Sequence, residues 1–280
     1  MSGSNVFSRI VEEYYKFTAS EKKVSDYISG QRKNVQYMSI SELAEACDVA
    51  EATISRFCRR LGYKGYNAFK LAIANASENE KTVDQLNENS TLADIAVNRS
   101  NVNINAIEQT LALINTEAVE KAAQLMLNSQ KVLCMGQGGS AIIAEEAAHL
   151  FSMAFSNFTP IVESHMQMIA AAGLSEKDCV LYFSYSGSTQ DVADSISVAK
   201  SRNAKVILVT RFPKSPGAMQ ADVVLLCGAK ESPLQHGSVE ARIPQLYLLD
   251  VLYHQMCAMD PVNVEKHKNN VAEAVALKHI

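Results

Sequence analysis

From residue 131 onward, short apolar runs alternate with stretches of helical periodicity, and this alternation leaves few folds open to the chain. The apolar runs lie at 131–135, 159–162, 178–184, 205–210 and 222–227, and helical stretches follow at 141–155, 190–201 and 238–259. Strands that alternate with helices predict a parallel sheet, because each parallel crossover needs a long connection that packs back on the sheet. The sequence therefore predicts an α/β domain with a doubly wound parallel sheet.

The first 77 residues contain no strand-like run and predict a bundle of short helices. Apolar residues recur at helical spacing within 6–14, within 24–28 after an expected cap at Ser20, within 39–47, and within 51–61, which Gly62 ends. The polar stretch 78–90 predicts a linker, and helical periodicity returns over 92–113 and 117–127. We expect three parts: a helical domain at 1–77, a linker with the start of a connecting helix at 78–104, and the α/β domain at 105–280.

Composition and charge narrow the class of protein. Hydrophobic residues make up 48% and charged residues 20%, which is typical of a folded chain. The start lacks the pattern of a secretory signal, and no run approaches the ~18 apolar residues of a membrane span, so we expect a cytoplasmic protein without a membrane partner. Six scattered cysteines without a CxxC pair predict free, buried thiols rather than metal ligands, and we expect neither metal nor cofactor.

Residues 39–61 have the order of a DNA-binding helix-turn-helix, with a first helix, a turn at 48–50 and a second helix. The second helix and the residues after it offer small polar and basic side chains, namely Thr53, Ser55, Arg56, Arg59, Arg60 and Lys64. We assign Arg56 to a base edge and Arg59, Arg60 and Lys64 to phosphates, because arginine can form two hydrogen bonds with guanine. Residues 1–77 carry 11 basic and 8 acidic side chains, so a solvated basic face is the alternative.

The run SISELAEACDVAEATISRFCRRLGYKGY at 39–66 resembles the N-terminal domain of RpiR-type bacterial regulators. Its most specific portion is RFCRRLGYKGY, and the resemblance spans most of residues 5–76. It implies a bacterial protein whose N-terminal domain binds operator DNA as a dimer.

Two loops of the α/β domain each follow a predicted strand and open a predicted helix. The loop GQGGS at 136–140 has glycines that permit close approach of the backbone to an anion, and SYSGST at 184–189 places four hydroxyl groups around one glycine. Hydroxyl groups at a helix N-terminus suit a phosphate ester. Neither loop fits GxxxxGK[ST], and Ala141 replaces the third glycine of GxGxxG, which disfavours nucleotide chemistry.

These loops, with the segment GSVEARIPQLYLLDVLYHQM, resemble the sugar isomerase (SIS) domain over roughly residues 105–260. The resemblance implies a phosphosugar ligand whose phosphate is held by Ser140, Ser184, Ser186 and Thr189. Gly187 and Ser188 would shape the second loop, and Gly136 and Gly138 are further candidates for ligand binding, through their backbone. His165 and Glu240 are further candidates for the sugar, whereas the roles of His236 and Arg242 stay open between ligand, exposed surface and dimer interface.

Three functions are consistent with this domain order. A regulator would bind operator DNA under the control of a phosphorylated sugar, as a homodimer or higher oligomer and without catalytic residues. An isomerase or etherase acting on sugar phosphates would need a general base, for which Glu240, His165 and Glu163 are candidates. A dimerisation scaffold would need no ligand. We expect the regulator, because a DNA-binding domain favours sensing over turnover. The resemblance implies an N-acetylamino-sugar 6-phosphate as effector and genes of carbohydrate catabolism as targets.

Overall fold

The computed structural model describes residues 6–78, 90–228 and 239–277 of the chain. Within these ranges two units form, one from 6–78 and 90–99 and one from 100–228 and 239–277, and each is described by itself. Residues 79–89 of the expected linker lie outside the described residues, as does His236.

The first unit is helical, as predicted. Its helices are α1 (Val6–Glu13), a 3-10 turn (Tyr14–Lys16), α2 (Ala19–Gly30), α3 (Arg32–Val35), α4 (Ile40–Ala46), α5 (Glu51–Arg60) and α6 (Tyr66–Glu78). One apolar core joins them, in which Phe57 packs against Phe17 and Phe69 with ring centroids 5.0 and 5.8 Å apart.

The expected cap of α2 at Ser20 is wrong, because the helix is capped at Thr18. The Thr18 hydroxyl accepts the N–H of Glu21, and the Glu21 carboxylate accepts the N–H of Thr18 in return. This reciprocal pair needs an acidic residue three positions after the cap, and Ser20 is followed at that distance by Lys23. Helix α4 begins with the same arrangement of Ser39 and Glu42.

The second unit contains the sheet and its helices. In chain order these are α7 (Leu92–Leu111, whose first turns belong to the first unit), α8 (Thr116–Leu127), β1 (Lys131–Gly136), α9 (Gly139–Ser152), β2 (Phe158–Ile161), α10 (Ser164–Ala172), β3 (Asp178–Phe183), α11 (Gln190–Ser201), β4 (Lys205–Thr210), β5 (Val223–Leu226), α12 (Val239–Met259) and α13 (Pro261–Ala276). The predicted fold class is confirmed. Helices α10 and α13 are additional to the prediction.

All five strands are parallel, in the order β2-β1-β3-β4-β5. Helices α8, α9 and α12 cover one face through a core that includes Ile143, Phe183 and Leu252. Helices α10 and α11 cover the other face, where Tyr182 and Ile196 are buried. The helix after β1, α9, therefore lies on one face, and the helix after β3, α11, lies on the opposite face. The direction in which strands are added to the sheet reverses between β1 and β3.

Two further sequence expectations concern the whole chain. The six cysteines are free and five of them are buried, which confirms the prediction of free, buried thiols. No helix within the described ranges combines the length and apolar character that a membrane span requires.

Candidate functional site

The two predicted loops lie on either side of the point, between β1 and β3, where the strand order reverses. The first loop, residues 136–140, follows β1, and the second, residues 184–189, follows β3, the neighbouring strand. In open doubly wound sheets this switch point leaves a crevice at the carboxyl ends of the strands, where ligands bind. The loops face this crevice with the N-termini of α9 and α11, neither of which has a side-chain cap.

Glycines bring the first loop close to its helix. A Cβ atom at Gly136 would overlap the carbonyl oxygen of Ser140, so only glycine allows α9 to begin this near β1. Gly138, the N-cap of α9, has φ 55° and ψ −124°, a conformation that residues with a side chain rarely adopt. The half-buried Ser140 lies in the first turn of α9, where N–H groups favour an anion.

The second loop is held by the segment that follows β4. The Gly187 carbonyl accepts the N–H of Gly217 at 2.9 Å, and the Thr210 hydroxyl donates to the Tyr185 carbonyl at 3.0 Å. Gly187 has φ 59°, and a Cβ atom there would overlap the Ser215 hydroxyl. The conformation of the loop therefore depends on glycine at this position.

The hydroxyl groups of the second loop differ in whether their own proton is available to a ligand. Ser184 Oγ accepts the N–H of Gly187, and Ser186 Oγ accepts the N–H of Ser188. Both hydroxyls keep their own proton for a ligand, because an acceptor oxygen can still donate. Ser188 donates its proton to the Ser186 carbonyl at 2.9 Å, so its hydrogen bond shapes the loop. Thr189, the exposed N-cap of α11, makes no side-chain capping bond.

A buried amide group, which the sequence analysis missed, supports the first loop. Gln167 of α10 is fully buried, and its Nε2 donates to the carbonyls of Gly136 and Ile161 at 2.9 and 2.8 Å. Its Oε1 accepts from Gln137 Nε2 and from the Tyr182 hydroxyl, both at 3.0 Å. Burial raises the pKa of Tyr182 to about 12, so this phenol stays a donor. A glutamine amid the apolar residues of α10 was the available signal.

The remaining candidates of the sugar site are less enclosed. His165 is 93% exposed at the start of α10, with Nδ1 3.3 Å from the Glu163 carboxylate. Ser164 donates to Asp191 of α11 at 2.6 Å, which fixes the start of α10 beside the helix that follows the second loop. Glu240 lies in the first turn of α12, and its side chain is outside the described part of the structure.

The helix-turn-helix has the predicted order in the first unit. Helices α4 and α5 are joined by a turn in which Asp48 adopts a positive φ of 51°. Gly62, with φ 86°, ends α5 as expected. Arg56, Arg59 and Lys64 are exposed on or just after α5, as candidates for contacts with DNA require.

Thr53, Ser55 and Arg60 have surroundings that restrict how they could meet DNA. Thr53 is buried and accepts a hydrogen bond from Arg56 at 3.2 Å, whereas Ser55 is half-buried. The Arg60 guanidinium pairs with the Glu21 carboxylate at 2.8 Å, so Arg60 joins α5 to α2. Burial alone would raise the pKa of Glu21, but the bonds from Thr18 and the charge of Arg60 outweigh it and lower this pKa.

Family comparisons match both units. The helix-turn-helix domain of the rpiR family matches residues 4–80, and the SIS domain matches residues 125–255. An uncharacterized HTH-type transcriptional regulator of Caldanaerobacter subterraneus subsp. tengcongensis is 31% identical, over 99% of this chain and 99% of its own length. The HTH-type transcriptional regulator RpiR of Escherichia coli K12 is 28% identical, over 85% of this chain and 80% of its own.

Solved structures agree in fold. The Vibrio vulnificus NanR protein complexed with ManNAc-6P has a TM-score of 0.88 and 24% identity, and the match covers 98% of this chain and 99% of that one. The sugar isomerase domain of an RpiR transcription factor from Sphaerobacter thermophilus has a TM-score of 0.58 and 22% identity, over 64% of this chain and 98% of its own.

Proposed function

Since the chain belongs to the rpiR family of helix-turn-helix transcriptional regulators with a SIS domain, we propose that a phosphorylated sugar controls its binding to operator DNA. Residues 1–77 bind the DNA, residues 78–104 form the connection, and residues 105–280 bind the effector. Two copies place their helix-turn-helix domains on the two halves of a palindromic operator, as a C2 dimer would.

One observation carries the effector site: both glycine- and hydroxyl-containing loops flank the switch point between β1 and β3. The phosphate accepts the hydroxyl protons of Ser140, Ser184, Ser186 and Thr189 and the N–H groups at the starts of α9 and α11. We propose that His165 and Glu240 contact the sugar. The bound ligand of the NanR structure, ManNAc-6P, makes an N-acetylamino-sugar 6-phosphate the first candidate.

Two of the three candidate bases, Glu163 and His165, fit a regulator better than an isomerase; the side chain of the third, Glu240, lies outside the described residues. Glu163 caps α10 by accepting the N–H groups of His165 and Met166, and these bonds lower the pKa of its carboxyl. A carboxylate with a lowered pKa is a weak general base. His165 is open to solvent, where the proton transfers of isomerisation are poorly sheltered.

The effector is tested by thermal melting of the full chain with a panel of sugar phosphates, including N-acetylmannosamine 6-phosphate and N-acetylglucosamine 6-phosphate. A stabilised protein that leaves the compound unchanged supports a regulator. Conversion of the compound would establish an enzyme. If no sugar phosphate raises the melting temperature, the SIS unit would be a dimerisation scaffold.

Control of DNA binding is tested with operator DNA selected from a random pool. The double variant Ser184→Ala/Ser186→Ala should bind this DNA like the unmodified protein and lose its response to the sugar phosphate. Ser201→Ala, whose hydroxyl donates to Val198 at the far end of α11, is the matched control. An operator affinity that saturating effector does not change in the unmodified protein would contradict the coupling.

The DNA contacts are tested separately. Arg56→Ala should weaken operator binding by about 1–3 kcal/mol and relax the preference at one base pair. Arg59→Ala should weaken binding to all DNA sequences alike and reduce the salt dependence of binding by about one released counterion. The exposed Arg202, at the end of α11, provides a control of equal charge.

A further inference from the structure

Three buried polar atoms in the described residues have no hydrogen-bond partner. They are Nε of Arg211, Nε of Arg242 and Oε1 of Gln245. The first two are donors on guanidinium groups, and the third is an acceptor. Because an unpaired buried polar group destabilises the folded state, such groups are typical of sites where a ligand supplies the missing bond.

Arg211 lies beside the second loop. It directly follows β4, and its N–H donates to the Tyr185 carbonyl at 3.0 Å. Its side chain and the Tyr185 ring are neighbours, since a Cβ atom at Gly228 would lie 3.9 Å from Arg211 Cδ and 3.3 Å from the ring. Arg211 thus adjoins Tyr185, the residue between Ser184 and Ser186.

Arg242 and Gln245 lie at the same edge and on the same face of the sheet. Near the end of α12, Tyr253 packs against Phe151, which stacks on Phe158, the first residue of β2. The end of α12 therefore lies at the amino edge of the sheet and its beginning at the carboxyl edge. Nearer that beginning, Leu248 lines one cavity together with Pro213 and Leu226, which follow or end β4 and β5.

We propose that Arg211, Arg242 and Gln245 form a second subsite for the same ligand, so that the effector is a phosphorylated sugar that also carries a carboxylate, and an N-acetylamino-sugar 6-phosphate without one binds more weakly. This inference rests on the proposed function, in which the two loops hold the phosphate. Two guanidinium groups match a carboxylate in charge and geometry. Gln245 Nε2 donates to the Ala241 carbonyl at 2.9 Å, which leaves Oε1 to accept a hydroxyl beside that carboxylate.

Two matched pairs of ligands test the subsite by calorimetry on the full chain. Glucose 6-phosphate is compared with 6-phosphogluconate, and N-acetylglucosamine 6-phosphate with N-acetylmuramic acid 6-phosphate. The acid of the first pair carries its carboxylate at C1 of an open chain, and the acid of the second pair carries it on a lactyl group at O3, so the two pairs present the carboxylate in different places. We expect the acid to bind ten- to a hundredfold more tightly in at least one pair, because hydrogen bonds to charged groups are strong.

Arg211→Met and Arg242→Met should each remove this preference and leave the affinity for the sugar phosphates without a carboxylate unchanged. A variant that is merely less stable would lower both affinities together, so the ratio within a pair identifies the subsite. Arg202→Met, at an exposed position on α11, should keep the preference.

Each outcome decides between the two proposals. If sugar phosphates bind but neither acid is preferred, or if the variants lose both members of a pair equally, the subsite is wrong and the proposed function stands. If no sugar phosphate binds, the proposed function is wrong and the subsite with it.

Discussion

Replacement of Gly187 by alanine tests whether the second loop depends on the segment after β4. The residue has φ 59°, and a Cβ atom would overlap Ser215 Oγ and lie 2.8 Å from Ser215 Cβ. Ser215 is itself fixed, since its N–H donates to Phe212 and its hydroxyl accepts the N–H of Ala218. The loop can therefore relieve the overlap only by moving away from β4.

Gly187→Ala carries two penalties, one from the left-handed backbone and one from the overlap with Ser215, and each can be estimated separately. A left-handed conformation costs a residue with a side chain about 1–2 kcal/mol. Overpacking adds about 1–3 kcal/mol, so Gly187→Ala should lower the free energy of unfolding by roughly 2–5 kcal/mol. Gly173→Ala in the same unit is the control, because Gly173 has an ordinary φ of −87° and its nearest neighbour would be 3.5 Å from the new Cβ. It should be neutral, or stabilising by ~0.4–1 kcal/mol.

Urea unfolding followed by circular dichroism measures these changes, since the chain has no tryptophan to report them by fluorescence. The double variant Gly187→Ala/Ser215→Gly keeps the backbone penalty and removes the overlap. We expect a coupling energy of about 1–3 kcal/mol between the two positions, equal to the overpacking cost. If the measured coupling energy does not exceed ~0.3–0.5 kcal/mol, the two substitutions are additive, and the close approach of Gly187 and Ser215 is refuted.

Three further predictions concern the capping box of α2, the ion pair between Glu21 and Arg60, and the buried glutamine. Thr18→Ala should lower the free energy of unfolding by about 0.5–2 kcal/mol in the same titration, and an unchanged midpoint would contradict the capping box. Because the folded-state pKa of Glu21 is lowered, its ion pair with Arg60 stabilises the protein above the unfolded pKa and is lost as the pH falls through the folded one. Glu21→Gln should therefore be less stable at neutral pH, by a difference that shrinks on acidification; a constant difference would argue against the pair. Gln167→Leu leaves two buried carbonyls without their donor and should cost about 2 kcal/mol or more, together with affinity for sugar phosphates.

The sheet could be predicted from the sequence because its strands are buried on both faces. A fully buried strand is a continuous apolar run, so 178–184 and 205–210 agree with β3 and β4 to within a residue. Helix α10 gave no such signal: it has nine residues, and its cap is Glu163 rather than a serine, threonine, aspartate or asparagine. Helix α13 was missed because Val264 is its one buried residue among those described, which leaves no apolar stripe.

The candidate site divides in the same way between local and long-range features. The two loops were predictable, since glycines and hydroxyl residues are close in sequence at 136–140 and 184–189. The environments of Thr53 and Arg60 were not, because burial and a partner in α2 depend on packing between helices. The same holds for Arg211 and Arg242, each of which has a buried Nε atom without a partner among the described residues.

Helix α10 links the two halves of the candidate effector site. Gln167 bonds to the Gly136 carbonyl at the end of β1, and Ser164 bonds to Asp191 in the first turn of α11. Each of the two loops is thus joined to α10 by a hydrogen bond: the first loop at its first residue, Gly136, and the second at Asp191, two residues after its last residue. A ligand that draws the loops together must move α10 or break one of these bonds, since both anchors lie on the same short helix. The exposed Met166 and Ile169 of α10 would move with it, so a shift at the crevice reaches the surface of this unit through one helix.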